Sequence, residues 1–234
     1  MVNTRRDFLA KSIAAIVVSL PYLKGCVPKQ AELKVETEVP NPIQWDEFIE
    51  TLAALAQEQF SPDWDQDSYV EEVMALMSLL ELEEEEFAEL YDGYVDTLSS
   101  FPEITSVHEG GSFEVVTLEF EASSEIGLHN HPDMTGVILC LSGEVEVESY
   151  NLVSEEDAQG TVLIEQIEKI TLRPGMFTTL TADRGNIHSL RANQYTALLD
   201  VFTPPYDEER LQHYKNYERS QESVEGNIFE AWVY

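Results

Sequence analysis

The sequence predicts a mainly β protein, a small barrel or sandwich with an α-helical segment packed on its outside. From about residue 112 onward, apolar and polar residues alternate in short runs separated by Gly, Pro, Asp and Asn, which is typical of antiparallel strands. Residues 43–100 follow a helical period instead. The chain has 234 residues, of which 43% are hydrophobic, and this is enough for one packed core.

The helical segment is predicted from apolar residues that recur at steps of three and four. They are Trp45, Phe48, Ile49, Leu52, Leu55 and Ala56, then Val70, Val73, Met74, Met77 and Leu80. The stretch SPDWDQDS at 61–68 interrupts this stripe, and we expect Asp67 or Ser68 to cap the next helix through a side-chain oxygen. The acidic run Glu83–Glu86 is interpreted as a solvated helix face, because calcium loops need turn residues and alternating oxygens.

The β-rich runs beyond the helices are SFEVVTLEFEA, GVILCLSGEVEVESYNLV, TVLIEQIEKITLRPG, MFTTL, YTALLDVF and NIFEAWVY. Ser142-Gly143 and the DRGN at 183–186 predict hairpin turns, and no helix is expected between the strands. Cys140, inside VILCL, is expected to be a small buried hydrophobic residue rather than a nucleophile.

The first 25 residues have the features of an export signal. Arg5 and Arg6 precede an apolar run from 13 to 23, which is the pattern of a twin-arginine signal. LKGC at 23–26 resembles a lipobox, so we expect Cys26 to carry lipid and the protein to be exported, as a periplasmic or membrane-anchored lipoprotein. An uncleaved membrane anchor stays open as the alternative, although the apolar run is short for a bilayer.

Changes in composition and period divide the chain into four segments. They are the signal at 1–25, a linker at 26–42, a helical lead-in at 43–100 and a β domain at 101–234. If Cys26 carries lipid, Cys140 has no cysteine partner, and no disulfide forms within the chain.

The charge excludes two classes of partner. The formal net charge is −32, from 45 acidic and 13 basic residues. Phosphates repel such a chain, which argues against nucleic acid and against anionic lipid surfaces. We therefore expect no nucleic-acid partner, and contact with a membrane only through lipid on Cys26.

Three of the five histidines form a candidate metal site. His129 and His131 are two residues apart, so their side chains point to the same face of a strand. His188 comes 57 residues later, at the start of another strand that a barrel can bring beside the first. Three converging imidazoles form a facial site with open positions opposite. The alternative is an ordinary surface or core pair, which is how His108 and His213 are interpreted.

Two longer motifs carry a family resemblance. GLHNHPDMTGVILCLSGEVEV resembles the first motif of the cupin superfamily, and LRPGMFTTLTADRGNIHSL resembles the second. Cupins usually carry a glutamate three or four residues after the H-x-H, where this chain has Thr135 and Gly136. The absence of that glutamate, together with the stretches GNIHS and LLDVFTPPY, resembles the sequence pattern of one family. This is the cysteamine dioxygenase and plant cysteine oxidase family of three-histidine thiol dioxygenases. The resemblance covers residues 100–234 and implies a cupin double-stranded β-helix.

The resemblance also implies the site and the reaction. His129, His131 and His188 would bind Fe(II), and Asp200 and Tyr206 would lie near the metal as catalytic residues, with Asp200 helping to position the substrate. The implied substrates are O2 and a thiol, either cysteamine, cysteine or a Cys-initiated peptide. The implied product is a sulfinic acid, and the implied oligomeric state is a monomer.

Two positions depart from the family pattern. Asp133 stands where the family usually has glycine, which places a negative charge in the ligand segment. Tyr214 stands where plant members have a cysteine near the substrate entrance. Either Asp133 or Asp200 could attract a substrate ammonium group.

Two other functions stay open. Three histidines also suit a catalytic zinc, so a zinc or manganese cupin that hydrolyses or isomerises a small molecule is one alternative. The other is a non-catalytic binding module whose histidines bind metal only for stability. The ligand set favours the thiol dioxygenase over these two functions. Three neutral imidazoles leave the charge of Fe(II) uncompensated, so an anionic thiolate is a favourable further ligand.

Overall fold

The structure, a computed structural model, describes residues 41–81 and 102–234. Its helices are α1 (Trp45–Gln57), followed by a 3-10 turn at Glu58–Phe60, then α2 (Gln66–Leu79) and α3 (Glu208–His213). The export signal, the lipidation of Cys26 and the acidic run Glu83–Glu86 lie outside the described residues and stay predictions. Over the two described ranges, no helix has the length and apolarity needed to cross a membrane.

Within the same ranges, the strands form two antiparallel sheets. The strands are β1 (Glu103–Glu109), β2 (Glu114–Phe120), β3 (Glu125–Asn130), β4 (Thr135–Ser142), β5 (Val145–Leu152), β6 (Thr161–Leu172), β7 (Phe177–Leu180), β8 (Ile187–Ala192), β9 (Thr196–Thr203), β10 (Tyr217–Glu225) and β11 (Ile228–Val233). The first sheet has the order β1-β2-β9-β4-β7, and the second β10-β11-β6-β5-β8-β3. The two sheets enclose one interior, which confirms the predicted double-stranded β-helix with helices outside.

The two predicted hairpins are wrong, although both turns exist. The chain leaves β4 at Ser142 and enters β5 at Val145, but these strands belong to different sheets. The DRGN stretch likewise connects β7 of the first sheet to β8 of the second. Local turn residues do not distinguish a hairpin from a crossover, because the partner of each strand is decided by distant parts of the chain. Gly143 is required at its turn, since it has φ +83° and an added Cβ would lie 2.3 Å from the Tyr195 carbonyl oxygen.

The first sheet is buried on both faces. Alternate residues of β2 such as Val116 and Leu118 face the barrel interior, whereas Val115 packs with the helices. The helix layer contributes Phe48 and Leu52, which are fully buried. This double burial explains why the central strands of the sheet are nearly continuous apolar runs rather than alternating ones. The predicted packing of the helices on the outside of the barrel is confirmed.

The helices differ from the prediction in two ways, in the residue that caps α2 and in the presence of α3. Asp65, not Asp67 or Ser68, caps α2, because Asp65 has an extended backbone and its carboxylate accepts a hydrogen bond from the Ser68 N–H at 2.8 Å. The short α3 lies between β9 and β10, where no helix was expected. It has only six residues and no buried side chain, so it carries no apolar period from which to predict it.

Helix α2 holds two loops that lead to the histidines. The Gln66 side-chain oxygen accepts hydrogen bonds from the Thr135 hydroxyl at 3.0 Å and from the Ala182 N–H at 2.8 Å. Thr135 begins β4 just after His131, and Ala182 lies in the loop before β8. The lead-in helices therefore support the barrel at the end where the candidate site lies.

Cys140 is fully buried in the barrel core beside Ile138 and Leu198. Burial raises the pKa of its thiol to about 12. The thiol thus stays protonated and unreactive, which confirms the prediction of a small buried hydrophobic residue.

Candidate metal centre

Three histidine side chains meet inside the barrel. His129 on β3 stands opposite His188 on β8 in the antiparallel register, and His131 follows the end of β3. The Nε2 atom of His131 lies 3.0 Å from the Nε2 atoms of both His129 and His188. All three are buried, with exposed fractions of 6%, 7% and 3% for His129, His131 and His188. Among the described residues, this is the cluster whose ligand atoms are close enough to share a metal ion.

The outer nitrogens of two rings have defined partners. His129 Nδ1 donates a hydrogen bond to the Gly127 carbonyl at 2.8 Å, which leaves a lone pair on Nε2. The Tyr206 hydroxyl oxygen lies 2.9 Å from His131 Nδ1 and can accept a hydrogen bond from the Nδ1–H. Such partners orient a histidine and select the tautomer that binds metal.

Burial keeps the cluster in the neutral form. It lowers the pKa of His129, and it lowers the pKa of His131 and His188 well below the usual value. The charge of His129 lowers the pKa of both of these neighbours further. Neutral imidazole is the form that binds metal ions.

The donor set fits a divalent transition metal. Imidazole binds such ions with metal–nitrogen bonds of about 2.1 Å, and two such bonds at right angles separate their nitrogens by about 3.0 Å. The distances of 3.0 Å from His131 to its two neighbours match this value. Thr135 and Gly136 occupy the positions of the usual cupin glutamate, and Thr135 bonds to Gln66, so no carboxylate joins the described cluster.

A cavity of about 460 Å³ opens on the three histidines. Its walls are mostly apolar side chains from the strands of both sheets. Its remaining polar groups come from Glu114, Asp200, Tyr206 and Tyr214, and none of the described lining residues is a lysine or an arginine. The cavity can therefore hold a molecule larger than the smallest thiols and offers negative rather than positive partners.

The two residues predicted as catalytic both lie on this cavity. Asp200, on β9, is 8% exposed. Burial, followed by the charge of Glu114, raises the pKa of Asp200 to about 7. Burial raises the pKa of Tyr206, and the negative charges of Tyr214, Asp200 and Glu114 raise it further.

The structure explains one departure from the family pattern and locates the other. Asp133 has φ +52°, a backbone conformation that favours glycine but that aspartate tolerates, and its side chain is exposed and outside the cavity lining. The structure thus places Asp133 outside the cavity that opens on the histidines. Tyr214 does line the cavity, with its ring centre 5.7 Å from that of His129. His108 stacks on Phe113 and His213 is exposed, as expected for residues outside the site.

Two contributors were not singled out from the sequence. Asn186 holds the backbone of His131 through two hydrogen bonds. Its side-chain oxygen accepts one from the His131 N–H at 3.1 Å, and its side-chain amide donates one to the His131 carbonyl at 2.7 Å. Asn186 stands in GNIH, so its position beside a candidate ligand was the available signal. Glu114 begins β2 and faces the cavity. Only the strand register shows which way it points.

Tyr206→Phe is expected to weaken metal binding about tenfold, because it removes the hydroxyl that orients His131. Competition with a chelator of known affinity measures this. Tyr214→Phe is the matched control, since its hydroxyl lies 3.4 Å from Asn216 Oδ1 and not on a ligand. Equal affinities for the two variants would contradict the role given to Tyr206.

Curated relatives are similar over about half of this chain. The chain is 33% identical to plant cysteine oxidase 2 of Arabidopsis thaliana over 123 residues, which is 50% of this chain and 45% of the relative. It is 26% identical to 2-aminoethanethiol dioxygenase of Mus musculus over 133 residues, 47% of this chain and 52% of the relative. The chain thus spans about half the length of these curated relatives.

Two solved structures are also similar to parts of this chain. A conserved protein with a double-stranded β-helix domain from Klebsiella pneumoniae has a TM-score of 0.37 and 20% identity, over 48% of this chain and 85% of the other. KdgF from Halomonas sp. has a TM-score of 0.35 and 20% identity, over 45% and 81%.

The family comparison begins after the lead-in helices and covers nearly all of the barrel. The model of the PCO_ADO family matches residues 81–230, which is more than half of the chain and includes all three histidines, Asp200 and Tyr206. The chain therefore belongs to the PCO_ADO family.

Proposed function

We propose that this protein is an iron-dependent thiol dioxygenase that converts a thiol and O2 into a sulfinic acid. The observation that carries the proposal is the buried cluster of His129, His131 and His188, with no carboxylate ligand among the described residues, at the base of a cavity. Membership of the PCO_ADO family supports it. So do the names of the two relatives, which describe a cysteine oxidase and a 2-aminoethanethiol dioxygenase.

The reaction balances without a further co-reactant. One thiol and one O2 give one sulfinic acid: two sulfur–oxygen bonds form and the bond within O2 breaks. The sulfur loses four electrons, which O2 gains, and the thiol proton ends on the sulfinic acid or in water. Fe(II) would be held by His129, His131 and His188, and it would supply Lewis-acidic and redox chemistry for the thiol and O2.

The protein side chains bind and orient the reactants. Three neutral imidazoles contribute no negative charge, so an anionic sulfur is a favourable fourth partner. Tyr206 holds the ring of His131, and the apolar walls limit access of water. Asp200 offers a buried carboxyl group on the wall, suited to a substrate ammonium group such as that of cysteamine or an N-terminal cysteine.

Oxygen consumption by the iron-loaded protein tests the proposal. The full chain is loaded with Fe(II) without air and then mixed with O2 and cysteamine, cysteine or a Cys-initiated peptide. We expect O2 uptake with at least one of these thiols, and a mass gain of two oxygen atoms that both derive from isotopically labelled O2.

No uptake with any thiol, by protein that holds one iron per chain, would overturn the proposal. Metal analysis of protein purified without added metal is the companion measurement. A dominant zinc signal together with no uptake would favour the hydrolase or isomerase alternative.

A further inference from the structure

Glu114 and Asp200 lie on the same wall of the histidine cavity. In the pairing of β2 with β9, Glu114 is opposite Phe202 and Val116 is opposite Asp200. Glu114 is thus a diagonal neighbour of Asp200 on one face of the sheet, and such neighbours are about 7 Å apart with side chains in reach of each other. Both line the cavity that holds His129, His131 and His188.

The surroundings of the pair do not neutralise it. Among residues 41–81 and 102–234, the lining of the cavity contains no lysine or arginine. Asp200 is more than nine-tenths buried, and burial and Glu114 are the effects that act on its carboxyl. The Ser106 hydroxyl lowers the pKa of Glu114, but burial, the larger effect, and the charge of Glu109 raise it.

Two carboxyl groups on an apolar wall are costly unless a cation joins them. An ammonium group has three donors and one positive charge, so it can hydrogen-bond to both carboxylates at once. A substrate carboxylate at the same place would instead meet two negative groups and no positive one.

We propose that Glu114 is a specificity-determining residue, which with Asp200 forms a two-carboxylate clamp for the ammonium group of an aminothiol and disfavours thiols that carry a carboxylate. The inference rests on the proposed function for the position of the thiol, and it extends that function by naming the second carboxylate and the substrates it excludes.

Binding without O2 tests the clamp separately from oxidation. The iron-loaded full chain is titrated calorimetrically in the absence of air with three thiols of similar size. They are cysteamine, which carries an ammonium group, 2-mercaptoethanol, which is neutral, and 3-mercaptopropionate, which is anionic. We expect cysteamine to bind at least about tenfold more tightly than 2-mercaptoethanol, and 3-mercaptopropionate to bind most weakly.

Glu114→Gln is expected to reduce the preference for cysteamine over 2-mercaptoethanol about tenfold, through weaker binding of cysteamine alone. Glu125→Gln is the matched control. It removes one charge from an exposed position on β3, outside the cavity lining, and is expected to leave the preference unchanged. The same preference in Glu114→Gln as in Glu125→Gln would overturn the proposal.

A comparison on the unmodified protein keeps the proposal testable if Glu114→Gln does not fold. Cysteine methyl ester keeps the ammonium group and lacks the carboxylate, so it is expected to bind about tenfold more tightly than cysteine. Equal binding of the two would overturn the clamp. Thiols that bind with this selectivity but consume no O2 would overturn the dioxygenase proposal and leave the clamp supported.

Discussion

His188→Ala is expected to remove metal binding and O2 uptake together. His188 supplies one of three converging nitrogens, 3.0 Å from that of His131, and alanine leaves only the two ligands of one segment, His129 and His131. The loss should exceed the 10–100-fold that partners of metal ligands cost, so we expect metal affinity to fall by more than about 100-fold. Metal content after dialysis against a chelator, with O2 uptake on the same samples, measures both effects.

His108→Ala is the control for this experiment. His108 stacks on Phe113 at a ring distance of 5.0 Å and takes no part in the cluster, so metal content and uptake should stay at the level of the unmodified protein. His188→Gln fills the space of the ring better and separates the loss of the ligand from the loss of packing. Full metal content in both His188 variants would show that the cluster is not the metal site. A lower melting temperature with no activity to lose would support the non-catalytic alternative.

Asp200→Asn is expected to stabilise the metal-free protein above neutral pH. The carboxyl of Asp200 has a pKa of about 7 in the folded protein, against an ordinary value of 3.8. The folded state therefore keeps a proton that the unfolded state releases between these values. The stability that Asp200 contributes is fully present below 3.8 and is lost as the pH rises through about 7.

Over the full pH range, the free energy of unfolding changes by about 4 kcal/mol through Asp200, and about 2 to 3 kcal/mol of this change falls between pH 5 and pH 8. Urea unfolding of metal-free protein at these two pH values measures it. We expect the free energy of unfolding of Asp200→Asn, relative to that of the unmodified chain, to be higher by that amount at pH 8 than at pH 5. The buried histidines have lowered pKa values and give the opposite slope, but they are common to both proteins and cancel in the comparison.

Asp183→Asn is the control, because it removes a carboxylate at an exposed position outside the cavity lining. Equal changes for the two variants would contradict the burial of a titrating carboxyl at position 200. A costly buried carboxyl on the cavity wall is consistent with the proposed clamp for a substrate ammonium group.

The barrel and its helical cover follow from local patterns. The alternation of residues along the strands and the stripe that contains Phe48 and Leu52 predict the elements, because burial of one face imposes a period on the sequence. The two connections at Ser142-Gly143 and at 183–186 were predicted as hairpins and are crossovers. A turn residue such as Gly143 records the local backbone angle, not the sheet that the chain enters next.

The residues of the candidate site also differ in how far the sequence alone predicts them. His129 and His131 could be paired from their spacing alone, because residues two apart on a strand share a face. His188 can be assigned to the site only from the family resemblance or from the folded structure. The register that places it opposite His129 joins two strands far apart in the chain. The sequence predicts that Asp133 adds a negative charge beside the ligands, whereas the structure places it at a turn, exposed and with a positive φ.

The classes of element, the high acidic content and a histidine pair that indicates a metal can all be predicted from the sequence, because each depends on composition or on residues close together in the chain. The contacts of Tyr206 and Asn186 with His131, and the position of Glu114 beside Asp200, are visible only in the folded chain. These contacts join positions tens of residues apart, and no local period records them. A β barrel closes through strand pairings between distant segments, so the interior of the site forms only when the two sheets have formed.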